Sequence, residues 1–294
     1  MRIVVLDLDE TIGSFQQLSF IWQCMVIFLQ NSNVVYDTYH VFNEFMDAFP
    51  EVLRPNIIKV FKYLKKKSTT DACSSVVLYT NNQGQQEWLQ CLVEYFHFKL
   101  QYRLFTNVIS AYKINGVRVC KCRTQSSKCW ADLARCLELS TADQTHADVI
   151  FIDDSLVPGL MGIPNVCVLK VTPYLYTYTN STILLRLHQS LLKGRFTHLI
   201  DLIDSIESVE LIDFVKEAMY KYTSNNATNK DIIIYKNDSA VWDESLNSFF
   251  GPSSFAPSSF AHNKKSIRNT HRPRHQQSGA NLRLTVKRKK YFTK

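Results

Sequence analysis

Three short apolar runs in this chain, Ile3–Leu6, Ser75–Tyr79 and Val149–Ile152, are each followed at once by oxygen-bearing side chains: Asp7 and Asp9, Thr80, and Asp153 with Asp154. Four or five apolar, mostly β-branched residues without polar alternation predict strands buried on both faces, as in a parallel sheet. Helical spacing separates them, from Pro55 to about Lys67, from the Thr80–Gly84 loop to about Phe96, and over Ser127–Leu139. Further strands are expected at Leu104–Ile109 and Val166–Leu169. This alternation predicts an α/β fold, a central parallel sheet with helices on both faces.

Between the first strand and Arg54-Pro55, residues of about 16–30 and 38–49 carry apolar side chains at helical spacing, which predicts a small inserted helical cap. Beyond Pro173 the pattern becomes helical again over about 181–192 and 197–222. The expected organisation is a catalytic domain over residues 1–200 with an insert at about 16–49, a helical extension over 201–236, and a disordered basic tail from Asn237 onward. The charge is divided accordingly. Residues 263–294 hold 11 Lys and Arg and no acid, which leaves 23 of the 34 basic residues against all 26 acidic ones, a net −3, in residues 1–262.

The N-terminal apolar run is too short for a signal peptide, and Leu18–Leu29 is too short to span a bilayer, so a soluble intracellular protein without membrane contact is expected. Reduced thiols are then the expected state of the eight cysteines. The alternative, zinc on Cys120, Cys122, Cys129 and Cys136, does not suit their wide spacing.

Asp7 and Asp9 stand two apart after a strand, so both carboxylates can face one cleft. One can accept a phosphoryl group while the other moves protons. Asp153 and Asp154 offer hard oxygens for Mg²⁺, with Asp153 as direct ligand and Asp154 as ligand or neighbour to it. Thr80 and the Asn81 backbone can hold a phosphate oxygen, and a lysine would balance the remaining charge, the candidates being Lys113, Lys121 and Lys128.

The ordered set Asp7-Leu8-Asp9-Glu10-Thr11, Leu78-Tyr79-Thr80-Asn81, a lysine, and Ile152-Asp153-Asp154 resembles the four motifs of the HAD superfamily of phosphatases. Arg54-Pro55 ahead of a helix is similar to the NLI-interacting-factor type that acts on the RNA polymerase II C-terminal repeat. Arg123-Thr124-x-x-x-Lys128 and Tyr79–Gly84 resemble still more a related group encoded by large DNA viruses. The resemblance covers about residues 1–200. It implies a Rossmann-like HAD fold, Asp7 as nucleophile and metal ligand, Asp9 as acid and base with its carbonyl on the metal, and Thr11 shaping the loop. It also implies Thr80 and Lys128 as phosphate-holding residues, and Asp153 on Mg²⁺. Lys128 is favoured because it is expected to open the helix before the Asp153 strand.

The chain departs from the family at Ile12-Gly13-Ser14, at Asn56, where the cellular enzymes often have Gly, and in the insert. The implied substrate is a phosphoserine or phosphothreonine protein. The basic tail points alternatively to a nucleotide or nucleic-acid phosphate, and a third reading is a binding protein that keeps the fold without turnover. Lys287-Arg288-Lys289-Lys290 has the composition of a nuclear import signal, so residence in the cytoplasm or nucleus is the expectation, and the viral resemblance implies that the cell is an infected host.

Overall fold

In the computed structural model the protein is described over residues 1–70, 72–84, 86–192, 196, 206–220 and 232–251. Five parallel strands form the central sheet: β1 (Arg2–Leu6), β2 (Ser75–Tyr79), β3 (Asn107–Ile109), β6 (Asp148–Asp153) and β7 (Val166–Lys170), in the order β3-β2-β1-β6-β7. The first strand is thus central, with Leu6 level with Leu78 on one side and Ile152 on the other. This α/β architecture matches the sequence pattern. The strand expected at Leu104–Ile109 is shorter, because only its last three residues pair with β2.

Side chains alternate across the sheet, and both faces are apolar. Val4, Leu6, Val76, Leu78, Ile150 and Ile152 enter the larger core, while Ile3, Val5, Val77, Tyr79, Val149 and Phe151 enter the smaller one. Period-two alternation with no polar face is what a doubly covered sheet requires. The smaller core is covered by α5 (Trp130–Cys136), through Leu133, and by the segments around it.

The larger core takes α1 (Gln16–Asn31), α2 (Thr38–Ala48), α3 (Ile57–Thr69), α4 (Gln86–Leu100), α7 (Asn180–Leu192), α8 (Ile206–Tyr220) and α9 (Ile232–Phe249). A short α6 (Thr141–His146), opened by a Ser140–Asp143 capping box, leads into β6. A two-residue turn, Asn115-Gly116, both at positive φ, joins the small antiparallel pair β4 (Lys113–Ile114) and β5 (Val117–Arg118).

The insert forms both expected helices, but it is not a separate cap. Trp22 on α1 meets Phe42 on α2 at 4.9 Å, and Phe42 meets Trp88 on α4 at 5.1 Å, so its apolar faces belong to the main core. Aromatic pairs of this kind add about 0.5–1.5 kcal/mol each beyond area burial. The expected tail boundary at Asn237 is also corrected. α9 runs on to Phe249, because Tyr235, Trp242, Leu246 and Phe249 fall on one helical face and are buried. The remaining tail from Pro252, with its basic arm, lies outside the described residues, as do residues 197–205 and 221–222 of the expected 197–222 helix and 221–231 of the expected helical extension. Among the described residues no helix is long and apolar enough to cross a membrane.

Candidate active site

All three predicted strand ends meet at the carboxyl edge of the sheet. The Asp7 backbone continues the ladder by donating to Ile152 O, and that of Thr80 by donating to Ile109 O, each at 2.9 Å. Asp153 is the last residue of β6. Sheet pairing therefore fixes the origin of each functional side chain, and the side chains complete the arrangement.

Lys128 is the lysine that reaches the site. Its Nζ donates to Asp7 Oδ1 at 2.5 Å and to Asp153 Oδ2 at 2.7 Å, and all three side chains are buried. Lys113 and Lys121 are exposed, and Lys113 lies over the Tyr112 ring. Lys128 does not open a helix, however, since α5 begins two residues later, at Trp130. It sits in a loop braced from three directions. Arg123 donates to Thr80 O, Ser110 O and Ser126 O at 3.2, 2.9 and 2.7 Å. Thr124 donates its N–H and its hydroxyl to buried Asp132 on α5. A disulfide joins Cys122 to Cys136 at the far end of α5, where reduced thiols were expected.

Oxygens of Asp7, Asp153 and Asp154 come within 4.8 Å of one another, a hard-oxygen set able to hold a divalent cation. Thr11 ties this set to the motif loop. Its hydroxyl lies 3.2 Å from Asp7 Oδ2 and 3.3 Å from Asp154 Oδ1, either of which can take its one hydrogen, and it accepts from the Asp154 N–H at 3.0 Å. Asp153 Oδ1 accepts from the Ser155 N–H at 2.7 Å, which sets the plane of its carboxylate.

Asp9 belongs to a second group of contacts. Its Oδ2 accepts from Asn82 Nδ2 at 2.6 Å, while Asn82 Oδ1 accepts from the Gly84 N–H at 2.7 Å. The second bond fixes which end of the amide faces Asp9. The Asn82 N–H in turn donates to Thr80 Oγ1 at 2.9 Å, leaving the Thr80 hydroxyl hydrogen for a ligand. Asn82 was not singled out from the sequence, because its partner lies 73 positions earlier. Asn81 is exposed, and its carbonyl accepts from the Gln83 side chain.

Crowding of buried acids marks the electrostatics. Burial pushes the Asp7 carboxyl up to about 7 against the pull of Lys128, with Asp153 and Asp9 adding to the rise. Asp9 is pushed up to about 6, first by burial and then by Asp154, and the Asn82 hydrogen bond and Lys128 hold it back. Glu10 rises to about 7 through burial, Asp154 and Asp9, and Asp154 itself is raised by burial and by Asp153. Burial leads every one of these shifts and the neighbouring carboxylates add to it, so a cation bound among them would favour the charged forms.

Arg54, legible in the sequence only as part of a resemblance, is the clasp of the motif loop. It is 3% exposed and donates to Thr11 O at 2.6 Å, Glu10 O at 2.8 Å and Thr172 O at 2.5 Å. Its remaining side faces α9, with Asp238 at 3.3 Å and the Tyr235 and Trp242 rings each 5.9 Å from the guanidinium carbon. The loop it holds is tight. Glu10 has φ 62°, and a Cβ on Gly13 would stand 2.7 Å from Val52 O. Asn56, with φ 66°, is a residue type that tolerates the left-handed turn before α3.

Comparison with known protein families, curated proteins and solved structures finds no match to this chain.

Proposed function

We propose that the chain is a phosphomonoester hydrolase of the HAD type, in which Asp7 accepts the phosphoryl group and Asp9 serves as acid and then base. The observation that carries this reading is the buried Lys128 ammonium bridging Asp7 and Asp153 at the carboxyl edge of a parallel sheet, beside Asp154, Thr80 and Asp9. Lone carboxylates repel a phosphate. Here a lysine, a hydroxyl donor and a cation-ready oxygen set stand around them, which is the charge balance phosphoryl transfer needs.

Mg²⁺ fits Asp7, Asp153 and Asp154, and would neutralise phosphate charge next to the nucleophile. Asp7 Oδ would attack phosphorus in line while Asp9 gives its proton to the departing oxygen. Asp9 then takes a proton from the water that cleaves the aspartyl-phosphate. Its elevated value, about 6, suits a group that must both give and take a proton near neutrality. Thr80 and Lys128 would hold the phosphate oxygens.

The substrate we assign is a phosphoserine or phosphothreonine segment of a protein, on the strength of the Asp7–Thr11 and Arg54-Pro55 patterns. The test is phosphate release from p-nitrophenyl phosphate, phosphopeptides and nucleotides, with Mg²⁺ or EDTA, beside Asp7→Asn. Release that needs both Mg²⁺ and Asp7 is expected, since an amide neither attacks nor balances the metal. Undiminished turnover by Asp7→Asn would refute the mechanism, and turnover of nucleotides alone would refute the substrate.

A further inference from the structure

The disulfide does not stand alone. Cys120 keeps a free thiol whose Sγ lies 3.3 Å from Cys122 Sγ, and the ligand atoms of Cys120, Cys122 and Cys136 all fall within 4.8 Å of one another. Cys122 and Cys136 are half-buried, so a small soluble thiol can reach the bridge, whereas Cys120 is 9% exposed and reaches it from within. Arginines surround the cluster: Arg118 donates to the carbonyls of Cys120, Lys121 and Arg123, and Arg135 to that of Cys122. They anchor the backbone on both sides of the sulfurs, so the bridge can open while the thiols stay near one another.

We propose that Cys120, Cys122 and Cys136 form a thiol–disulfide exchange site for low-molecular-weight thiols, separate from the acidic cleft and independent of the phosphatase reading. A thiolate on Cys120 gives its electron pair to Cys122 Sγ, the Cys122–Cys136 bond breaks, and the pair leaves on Cys136 Sγ, which takes up the proton Cys120 released. No net oxidation occurs in that step. Reduced glutathione, the external monothiol, opens either bridge in two steps through a mixed disulfide. Two glutathione molecules supply the two electrons and two protons and leave as oxidised glutathione.

A structural zinc site is the competing use of clustered thiols, but such sites are four-coordinate, and among the described residues no fourth ligand joins these three. The bond already formed between two of the sulfurs favours exchange. The bridge also fastens the loop that carries Lys128 to α5, so opening it frees one of that loop's three braces.

The sequence makes the test direct, because trypsin cuts after Arg118, Lys121, Arg123, Lys128 and Arg135 and so places Cys120, Cys122, Cys129 and Cys136 on four different peptides. The full chain is equilibrated in glutathione buffers of graded redox ratio, quenched in acid, alkylated and mapped. Under oxidising buffer the Cys122–Cys136 pair is expected, with a second linked pair containing Cys120 at intermediate ratios. In Cys136→Ser a Cys120–Cys122 link is expected, and hydrogen exchange across residues 121–129 should rise when the wild-type bridge is reduced. Buried Cys24, Cys73, Cys91 and Cys167 should carry no glutathione and enter no linked pair at any ratio, and so serve as internal controls. The proposal is overturned if Cys120 is never found linked in the wild type at any ratio, or if the reduced chain holds one tightly bound zinc that Cys120→Ser releases.

Discussion

Replacing Lys128 with Met keeps the stem and removes the ammonium, leaving Asp7 and Asp153 buried without the cation that bridges them. Deleting one partner of a buried, hydrogen-bonded ion pair costs about 3–5 kcal/mol. At about 2–4 °C per kcal/mol for a chain of this size, that is a fall in melting temperature of about 6–20 °C. The loss must depend on pH, and its sign follows from Asp7. From the ordinary value of 3.8 up to about 7 the folded chain keeps a proton on Asp7 that the unfolded chain has lost, so stability falls as pH rises through that window. Lys128 pulls the Asp7 value down, so without it the window extends upward. The variant keeps losing stability above pH 7, where the Asp7 contribution in the parent has levelled off. Thermal melts of both proteins at pH 5 and pH 8, in EDTA, measure this directly. A variant destabilised equally at both values, or by less than about 1 kcal/mol at pH 8, would refute the argument that Lys128 neutralises these buried acids.

The same acids should make a divalent cation stabilising. Mg²⁺ at about 100 times its pH 8 dissociation constant adds about 2.7 kcal/mol, or roughly 5–11 °C, at pH 8, and the same concentration adds less at pH 5, where protons compete for the raised carboxyls; scanning fluorimetry with and without EDTA reads it, and a flat response at both pH values contradicts the site. Asn82→Ala removes the bond that favours the Asp9 carboxylate, so the Asp9 value rises. The pH–rate limb belonging to Asp9 should move to higher pH while turnover drops by about tenfold or more, given about 1.5–3 kcal/mol for a charge-assisted bond; an unmoved limb would deny Asn82 its positioning role. Arg54→Met strands the carbonyls of Thr11 and Thr172, while Glu10 O keeps the Tyr174 N–H and Asp238 keeps the Thr172 N–H, and the loss of these charge-assisted bonds should cost at least about 3 kcal/mol in urea unfolding, with Arg54→Lys intermediate; a cost under about 1 kcal/mol would show that the loop holds its shape without the clasp.

Legibility followed range. β1, β2 and β6 could be read because each is a local run of apolar residues, and parallel pairing then delivers Asp7, Thr80 and Asp153 to one edge whatever the intervening chain does. Lys128 was legible as one of three lysines, and only the folded brace of Arg123, Thr124 and Asp132 separates it from Lys113 and Lys121. α9 was hidden by its composition, since Asn237, Asp238, Ser239, Asn247 and Ser248 favour helices weakly. Burial of Tyr235, Trp242, Leu246 and Phe249 decides its state, and that spacing was there to be read. Asn115-Gly116 is a clear local hairpin signal, but the strands it joins are two residues long, too short to show the alternation that marks a strand. The Cys122–Cys136 bond depends on where α5 starts and stops, which no pair spacing reveals.

The Arg54 clasp orders events in time. Asp238 is 184 positions from Arg54, so the contact that closes over the guanidinium is among the most distant in the chain, and such contacts form late because the loop they close is long. During synthesis from the N-terminus, the sheet edge bearing Asp7, Thr80 and Asp153 is complete by residue 170, well before α9 exists. A growing chain therefore passes through a stage with its acids assembled and the loop between them still lacking its outer wall. Binding of the last described helix is the step that turns an arrangement of side chains into a fixed one.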